Sequence, residues 1–535
     1  MSAFGYQLAA SLAIAHALLF LGHIVPFLRD PYQLRKYPGP FLAKFSYGWN
    51  LWAGLTGRRT QIIHEAHQKY GSVVRISPSE ISFSNPAAYE EIHSFSAKLA
   101  KSNFYDSFAS QAIALRSLFA TRSKTDHGQK RKMLHSLFTA EVSRDFAAPT
   151  ISIASLLLEE WDSRYVCESQ DRPVSFDCVP WITFLSFDLV GVFAFGSSFQ
   201  MLQSQSDLVD APVDWKAAIE QLGNVGPSLQ KYPLHRISLG NTIAERETQN
   251  YFVGLTPPHW RGLMRRILRG PVHASLEYSG FVAEKVLQRI RTAASDQDRD
   301  LIGRFMAKAE AQASLLSCIL LSSKEPVQAN ALTAELLTIL VAGSDTSRNT
   351  LLAAIYYIAH DPSVQQKLQT ELDLHLQTSN PAVESLPYLG ACLDETLRLF
   401  SATHMGLPRT VPEGGLVVRG LPLVSGTTVG VPIYTIHRDK DIWGVDAEEF
   451  QPARWLKAGD DQRAPLAIAF KPFSDGPASC IGKSLALLQL RLLLALIFQR
   501  YEIRLEEADK PLAVEDWFVR RITSLRISVR RRGVA

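Results

Sequence analysis

Phe4 to Val25 is an almost unbroken apolar run, softened only by Gln7, Ser11, His16 and His23. As a helix its 22 residues would extend about 33 Å, matching a bilayer core of roughly 30 Å. No charged side chain precedes Arg29, and Arg35 and Lys36 follow closely. Pro26 is expected to end the helix. Basic residues on the carboxyl side alone place the rest of the chain in the cytosol by the positive-inside rule. A cleaved secretory signal is the competing reading, with Ala13-Ile14-Ala15 as a small-residue site. A signal, however, has a basic start and a shorter apolar stretch. Residues 1–28 therefore read as an uncleaved membrane anchor. Residues 29–40 read as a basic, proline-rich hinge, because Tyr37-Pro38-Gly39-Pro40 cannot continue a helix.

Beyond residue 40 the apolar positions recur mostly at helical spacing, with no linker or repeat that divides the chain. Val327 to Ala359 lacks proline and stops before Asp361-Pro362, which predicts a helix long enough to cross the whole body. Ala342-Gly343-Ser344-Asp345-Thr346-Ser347 sits at its middle between apolar flanks, and a local widening or kink is expected there. An acid and an alcohol in such surroundings carry a burial cost, which marks Asp345 and Thr346 as functional candidates rather than a surface turn. Strand patterns are short. Val73–Ile76 and Ile81–Phe83 predict a hairpin about Pro78. Leu416 to Val431 predicts a second small sheet, and Ile522 to Val529 an edge strand. The pattern is that of one large, mainly α domain with small β-sheets, spanning 41–535.

Composition narrows the function. Lysine plus arginine number 56 against 52 acidic residues in 535, so a dedicated nucleic-acid binder is excluded. Five cysteines are too few for a disulfide scaffold. Four are expected to be bystanders. The fifth, Cys480, lies in Phe473-Ser474-Asp475-Gly476-Pro477-Ala478-Ser479-Cys480-Ile481-Gly482, a tight loop ahead of an apolar helix from Leu485 to Phe498. Backbone N–H groups and the positive helix end would face its sulfur and favour a thiolate. No cysteine or histidine stands at zinc-like spacing from it.

This loop resembles that of the cytochrome P-450 superfamily, Phe-x-x-Gly-x-Arg-x-Cys-x-Gly, through Phe473, Gly476, Cys480 and Gly482. Further signatures appear in the family's order. Asp126-His127-Gly128-Gln129-Lys130-Arg131 is similar to the haem-contacting helix, Ala342 to Thr346 to the oxygen-binding motif, and Glu395-Thr396-Leu397-Arg398 to Glu-x-x-Arg. Phe450-Gln451-Pro452-Ala453-Arg454-Trp455 is similar to the segment that follows. Lys101 to Phe108, Met405 to Arg409 and Tyr434 to Arg438 are similar to fungal benzoate 4-monooxygenases and secondary-metabolic relatives.

The resemblance implies a haem (iron protoporphyrin IX) enzyme with Cys480 as axial ligand of the iron. It implies that Thr346 and Asp345 handle protons for dioxygen, and that Arg131, Arg409 and His127 hold the haem propionates. Glu395, Arg398 and Arg454 would form a structural ion-pair triad behind the loop. The implied function is a membrane-bound monooxygenase that hydroxylates or otherwise oxidises a hydrophobic or aromatic small molecule. Its electrons would come from NADPH–cytochrome P-450 reductase, since no dinucleotide loop is present. The implied location is the endoplasmic reticulum membrane, single-pass, with membrane lipid as a further partner. A reductase-independent haem-thiolate isomerase, dehydratase or peroxygenase is the alternative reading, and a non-catalytic haem-binding membrane protein a third. One departure stands out: Ala478 replaces the family arginine that pairs with a propionate. Lys130, Arg131, Lys132, Lys471 and Lys483 suggest a basic face for an acidic reductase. Residues 313–321 form an apolar run that the family does not lead one to expect.

Overall fold

The computed structural model describes residues 24–25, 27–113, 115–166, 174–222, 232–292, 300–305, 326–376, 383–457 and 466–533. Most of the expected anchor, residues 313–321, Cys167 and Cys318 lie outside them. Among the described residues no helix is long and apolar enough to cross a membrane. Ile24, Val25 and Phe27 to Arg29 are helical, so helical structure reaches Arg29 and does not stop at Pro26. The reason is a cap. Arg35 Nη2 donates to the carbonyls of Phe27, at 2.9 Å, and Leu28, while Asp30 at φ +44° accepts the Leu34 N–H at 2.9 Å.

Helices dominate. The longer ones are α1 (Arg59–Tyr70), α2 (Pro86–His93), α3 (Lys124–His135), α4 (Ala147–Tyr165), α5 (Val179–Phe195), α6 (Leu239–Leu255), α7 (Arg269–Thr292), α8 (Pro326–His360), α9 (Pro362–Leu376), α10 (Pro387–Leu399) and α11 (Lys483–Arg500). Local sequence sets their ends. Asn85 accepts the Ala87 N–H at 2.8 Å ahead of Pro86, and Ser123 caps α3 through the Asp126 N–H. Gly196, at φ +76°, closes α5.

The long helix α8 joins two hydrophobic clusters. Leu336, Leu337 and Leu340 pack with Phe187, Val190 and Phe193 of α5 and with Tyr278 and Phe281 of α7. Leu351, Leu352, Ile355 and Ile358 pack with residues of α4, α9, α10 and α11. Each buried leucine or isoleucine contributes about 1.5–3 kcal/mol, so both halves of α8 are firmly held. Between them Ala342 and Gly343 are exposed, onto the interior cavity described below. The expected widening is not found: α8 is α-helical throughout. Ser344, Thr346 and Thr350 instead return their hydroxyls to the carbonyls four residues earlier, at 2.6–2.8 Å, which satisfies the side chains without opening the ladder.

A five-stranded sheet has the order β1-β2-β10-β7-β3, with β1 (Val73–Ser77), β2 (Glu80–Phe83), β3 (Ala100–Lys101), β7 (Arg409–Thr410) and β10 (Thr428–Gly430). The hairpin about Pro78 is present. The region 416–431 divides: β8 (Leu416–Val418) and β9 (Leu421–Leu423) pair with each other, whereas β10 joins the first sheet. A three-stranded sheet runs β11 (Tyr501–Leu505), β14 (Arg526–Arg531), β4 (Ser175–Asp177), while β5 (Leu208–Pro212) pairs with β6 (Leu234–Ser238) and β12 (Ala513–Asp516) with β13 (Arg520–Ser524). The expected edge strand is thus two strands, β13 (Arg520–Ser524) and β14, and β14 is central. The break falls at Leu525, whose N–H goes to Asp177 Oδ1 and whose carbonyl accepts from Cys178.

Candidate active site

The cysteine loop is built by close approach. A Cβ at Gly476 would lie 2.0 Å from the His93 carbonyl oxygen, and its φ is +65°, so only glycine fits. Ser474, at φ +60°, bonds its Oγ to Tyr89 Oη at 2.8 Å. The Cys480 N–H donates to Phe473 O at 2.8 Å, and the Gly482 N–H donates to the Cys480 sulfur. Cys480 opens onto the cavity, whereas Cys178 and Cys392 are buried and their thiols are pushed well above the ordinary range by burial. Burial also raises the Cys480 thiol, against the Gly482 N–H, Arg131 and Lys483.

The cavity has a volume of about 340 Å³, within the roughly 300–1,000 Å³ of ordinary ligand pockets. It gathers Cys480, Phe473, Gly482, His127, Arg131 and Thr346. Aromatic side chains from distant segments, Phe108, Phe119, Phe138, Phe193 and Phe518, line it too. Gly476, Arg409 and Asp345 stand behind its wall. Arg409 Nη1 turns to Tyr105 Oη at 2.8 Å and to two carbonyls, and does not reach into the space. Arg131 grips the cysteine loop, donating to Ser479 O at 2.7 Å and Ser479 Oγ at 2.9 Å.

Sequence reasoning missed Lys101. It lines the cavity, and the β3–β7 register sets it directly opposite Arg409. Its Nζ donates to the carbonyls of Leu118, at 3.0 Å, and Phe119, at 2.8 Å, and lies over the rings of Tyr105 and Phe119. Burial and then Arg409 push its pKa down to about 7. The same cations, after burial, push His127 down to about 3, so that imidazole is neutral. Two like charges facing each other across buried strands repel. Among the described residues none of Lys101, Arg131 and Arg409 forms an ion pair with a carboxylate.

Behind the loop Glu395 and Arg398 pair bidentately at 2.8 Å with no solvent exposure. Arg454 Nε joins Glu395 at 2.9 Å, as does Trp455 Nε1. Arg398 also donates to the carbonyls of His437, Ala447 and Glu449. His437 connects this triad to the loop. Its Nε2 accepts the Lys471 N–H at 3.0 Å, so the proton resides on Nδ1 and donates to Arg398 O at 3.0 Å. Burial holds its pKa near about 3.

The basic face is smaller than expected. Lys132 and Lys483 are exposed, but Lys130 is tied to the buried Glu335 at 3.0 Å and Lys471 to Asp475 at 2.9 Å. Both lysines balance neighbouring acids, which sequence alone did not reveal.

A mainly helical body with a cysteine loop facing an apolar cavity defines a haem-thiolate architecture. The family description Cytochrome P450 matches residues 38–529, and the chain belongs to that family. It is similar to benzoate 4-monooxygenase bphA of Aspergillus niger, 31% identical over 96% of each chain. It is also similar to pisatin demethylase of Fusarium vanettenii, 27% identical over 91% of this chain and 88% of that one. A third relative is cytochrome P450 monooxygenase cicH of Emericella nidulans, 27% identical over 95% of this chain and 96% of that one. The family binds haem through a cysteine thiolate, and its monooxygenases work with a redox partner, dioxygen and a small-molecule substrate.

The residues present fit such a group. A cavity-facing thiol supplies an iron ligand, and the buried Lys101 and the half-buried Arg131 form no ion pair with a carboxylate among the described residues, a partner that haem propionates would provide. Lys101 stands as a second cation where Ala478 leaves the loop without one.

Proposed function

We propose that this chain is a monooxygenase of hydrophobic or aromatic small molecules, with Cys480 as the iron ligand and Thr346 and Asp345 as the proton-handling pair. The observation that carries this is that the Cys480 thiol and Thr346 line one apolar cavity. When bound, cysteine-ligated haem supplies the reductive activation of dioxygen. Arg131 and Lys101 hold the propionates, with Arg409 adding positive charge from behind Tyr105. The phenylalanine-rich walls exclude water and orient an apolar substrate. Thr346 presents a hydroxyl to the cavity; at rest it donates to Ala342 O at 2.6 Å, and turning it inward makes it a donor there. Asp345, behind the wall on the same turn, relays protons to the cavity beside Thr346.

The electrons come from an NADPH-dependent reductase docking at the exposed Lys132 and Lys483. The apolar run Phe4–Val25 anchors the chain in the endoplasmic reticulum membrane with the catalytic part cytosolic. The relatives named for benzoate and pisatin support an aromatic or secondary-metabolic substrate, and benzoate is a suitable first probe. Purified protein reconstituted with reductase should oxidise such a substrate with consumption of NADPH. Turnover that persists undiminished without the reductase would overturn the monooxygenase reading in favour of a reductase-independent one.

A further inference from the structure

The lysines and arginines that line the cavity are Lys101, Arg131, Arg246 and Arg348. In the proposed function Lys101 and Arg131 serve the haem propionates. Arg348 is fixed within the protein, to Thr183 Oγ1 at 2.7 Å and to Ile522 O at 3.1 Å. Arg246, on α6, is left over. It is buried, yet among the described residues it makes no hydrogen bond and no ion pair; its guanidinium lies over the Tyr278 ring of α7, 5.1 Å from the centroid. A desolvated guanidinium without a counter-charge carries an uncompensated penalty, and it can only donate. Asn250, one turn further along the same face, is buried as well, and its Nδ2 has no partner. The acids of the cavity wall do not fill the gap. Glu335 is held by Lys130 at 3.0 Å and by the Leu118 N–H. Glu247, beside Arg246, is buried, and burial pushes its carboxyl well above the ordinary range, which favours the uncharged form. The last turn of α6 packs Tyr251, Phe252 and Leu255 with Phe104, Phe108 and Phe518, and Phe108 and Phe518 line the cavity too. One helix thus joins the spare cation to the aromatic part of the wall.

Building on the proposed oxidation of an apolar or aromatic molecule in this cavity, we propose that Arg246 binds a carboxylate of the substrate, so that the chain selects aromatic or apolar carboxylic acids over their uncharged analogues. The planar guanidinium meets a carboxylate as a fork, and the phenylalanine side chains receive the apolar body. Asn250 adds a donor on the same face of α6. An amide of the same shape presents an acceptor but no charge, so it leaves the buried guanidinium uncompensated and binds less well. Binding is non-covalent, and no proton or electron is transferred in it.

Equilibrium dialysis with the full-length haem protein tests this, using benzoate and naphthoate as probes and benzamide and naphthamide as their uncharged counterparts. Each acid should bind about 10- to 100-fold more tightly than its amide, the contribution of a charge-assisted hydrogen bond. Arg246→Met should bring that ratio close to one while the affinity for the amides, the haem content and the carbon monoxide spectrum stay as in the wild type. Arg246→Lys should keep part of the preference. Arg246→Gln, which keeps a polar side chain, gives the same reading as Arg246→Met where the latter fails to fold. Acids that bind no better than the amides, or that do not bind at all, overturn the proposal. So does a preference that survives the loss of the Arg246 charge. A wild type that selects the acids but does not oxidise them with NADPH and reductase would instead contradict the proposed function and leave the assignment of Arg246 standing.

Discussion

Replacing Glu395 by Gln probes the support of the cysteine loop. Glu395 accepts from Arg398 twice, from Arg454, from Trp455 and from the Gln451 N–H, all at 2.8–2.9 Å, and it and Arg398 are 0% exposed. Glu395→Gln keeps the volume but removes the charge, leaving the Arg398 guanidinium buried without a counter-charge. Stranding a buried charge in this way costs about 3–5 kcal/mol. Backbone carbonyls still accept from Arg398, which places the expected loss toward the lower end of that range. The disturbance should reach the loop, because the Arg398 carbonyl fixes His437 and His437 holds Lys471. The assay is urea unfolding followed by circular dichroism, with haem content measured in parallel. Glu502→Gln is the control: its partners Arg504 and Arg530 are 67% and 70% exposed, so its loss should be roughly 0–1 kcal/mol. A Glu395→Gln variant no less stable than Glu502→Gln, with haem fully retained, would refute the reasoning.

Gly476→Ala should abolish haem retention, since its Cβ would meet the His93 carbonyl oxygen and its φ is left-handed; haem absorbance per protein reads this. Haem affinity of the protein should fall as pH rises above about 7, by up to tenfold per pH unit. The sign follows from Lys101: it is depressed in the empty pocket and its protonated form is favoured by a propionate, so binding takes up a proton above that pH. Lys101→Met should lower the affinity and flatten the profile, and Ala478→Arg added to it should restore part of the affinity; haem titration checks each. His127, neutral down to about 3, should not contribute to the slope. Thr346→Ala should leave the carbon monoxide spectrum intact while product formation falls about 100-fold and hydrogen peroxide rises, as measured per NADPH consumed.

The sequence was most legible where chemistry is local. Ten consecutive residues around Cys480 carry the two glycines and the proline that its loop requires, and the run without proline up to His360 marks α8 almost to the residue. Glu395 and Arg398, three apart on one helix, could be paired on paper. What could not be read depends on topology. Lys101 acquires its environment only when β3 meets β7, and nothing near it in sequence signals Arg409. His437 bridges two segments that lie far apart in sequence. Lys130 and Lys471 look like free surface charges in the sequence, because Glu335 lies far from Lys130 along the chain and Asp475 belongs to the cysteine loop. The break at Leu525 likewise depends on Asp177, on another strand.

The central claim is that Cys480 binds haem iron as a thiolate. It is tested most directly by the carbon monoxide difference spectrum of the reduced full-length protein beside Cys480→Ser. The wild type should give the red-shifted Soret band of a thiolate-ligated carbonyl haem, and Cys480→Ser should lose that band while Cys178→Ser and Cys392→Ser keep it. A wild type without the shifted band, or a Cys480→Ser variant that retains it, would contradict the assignment.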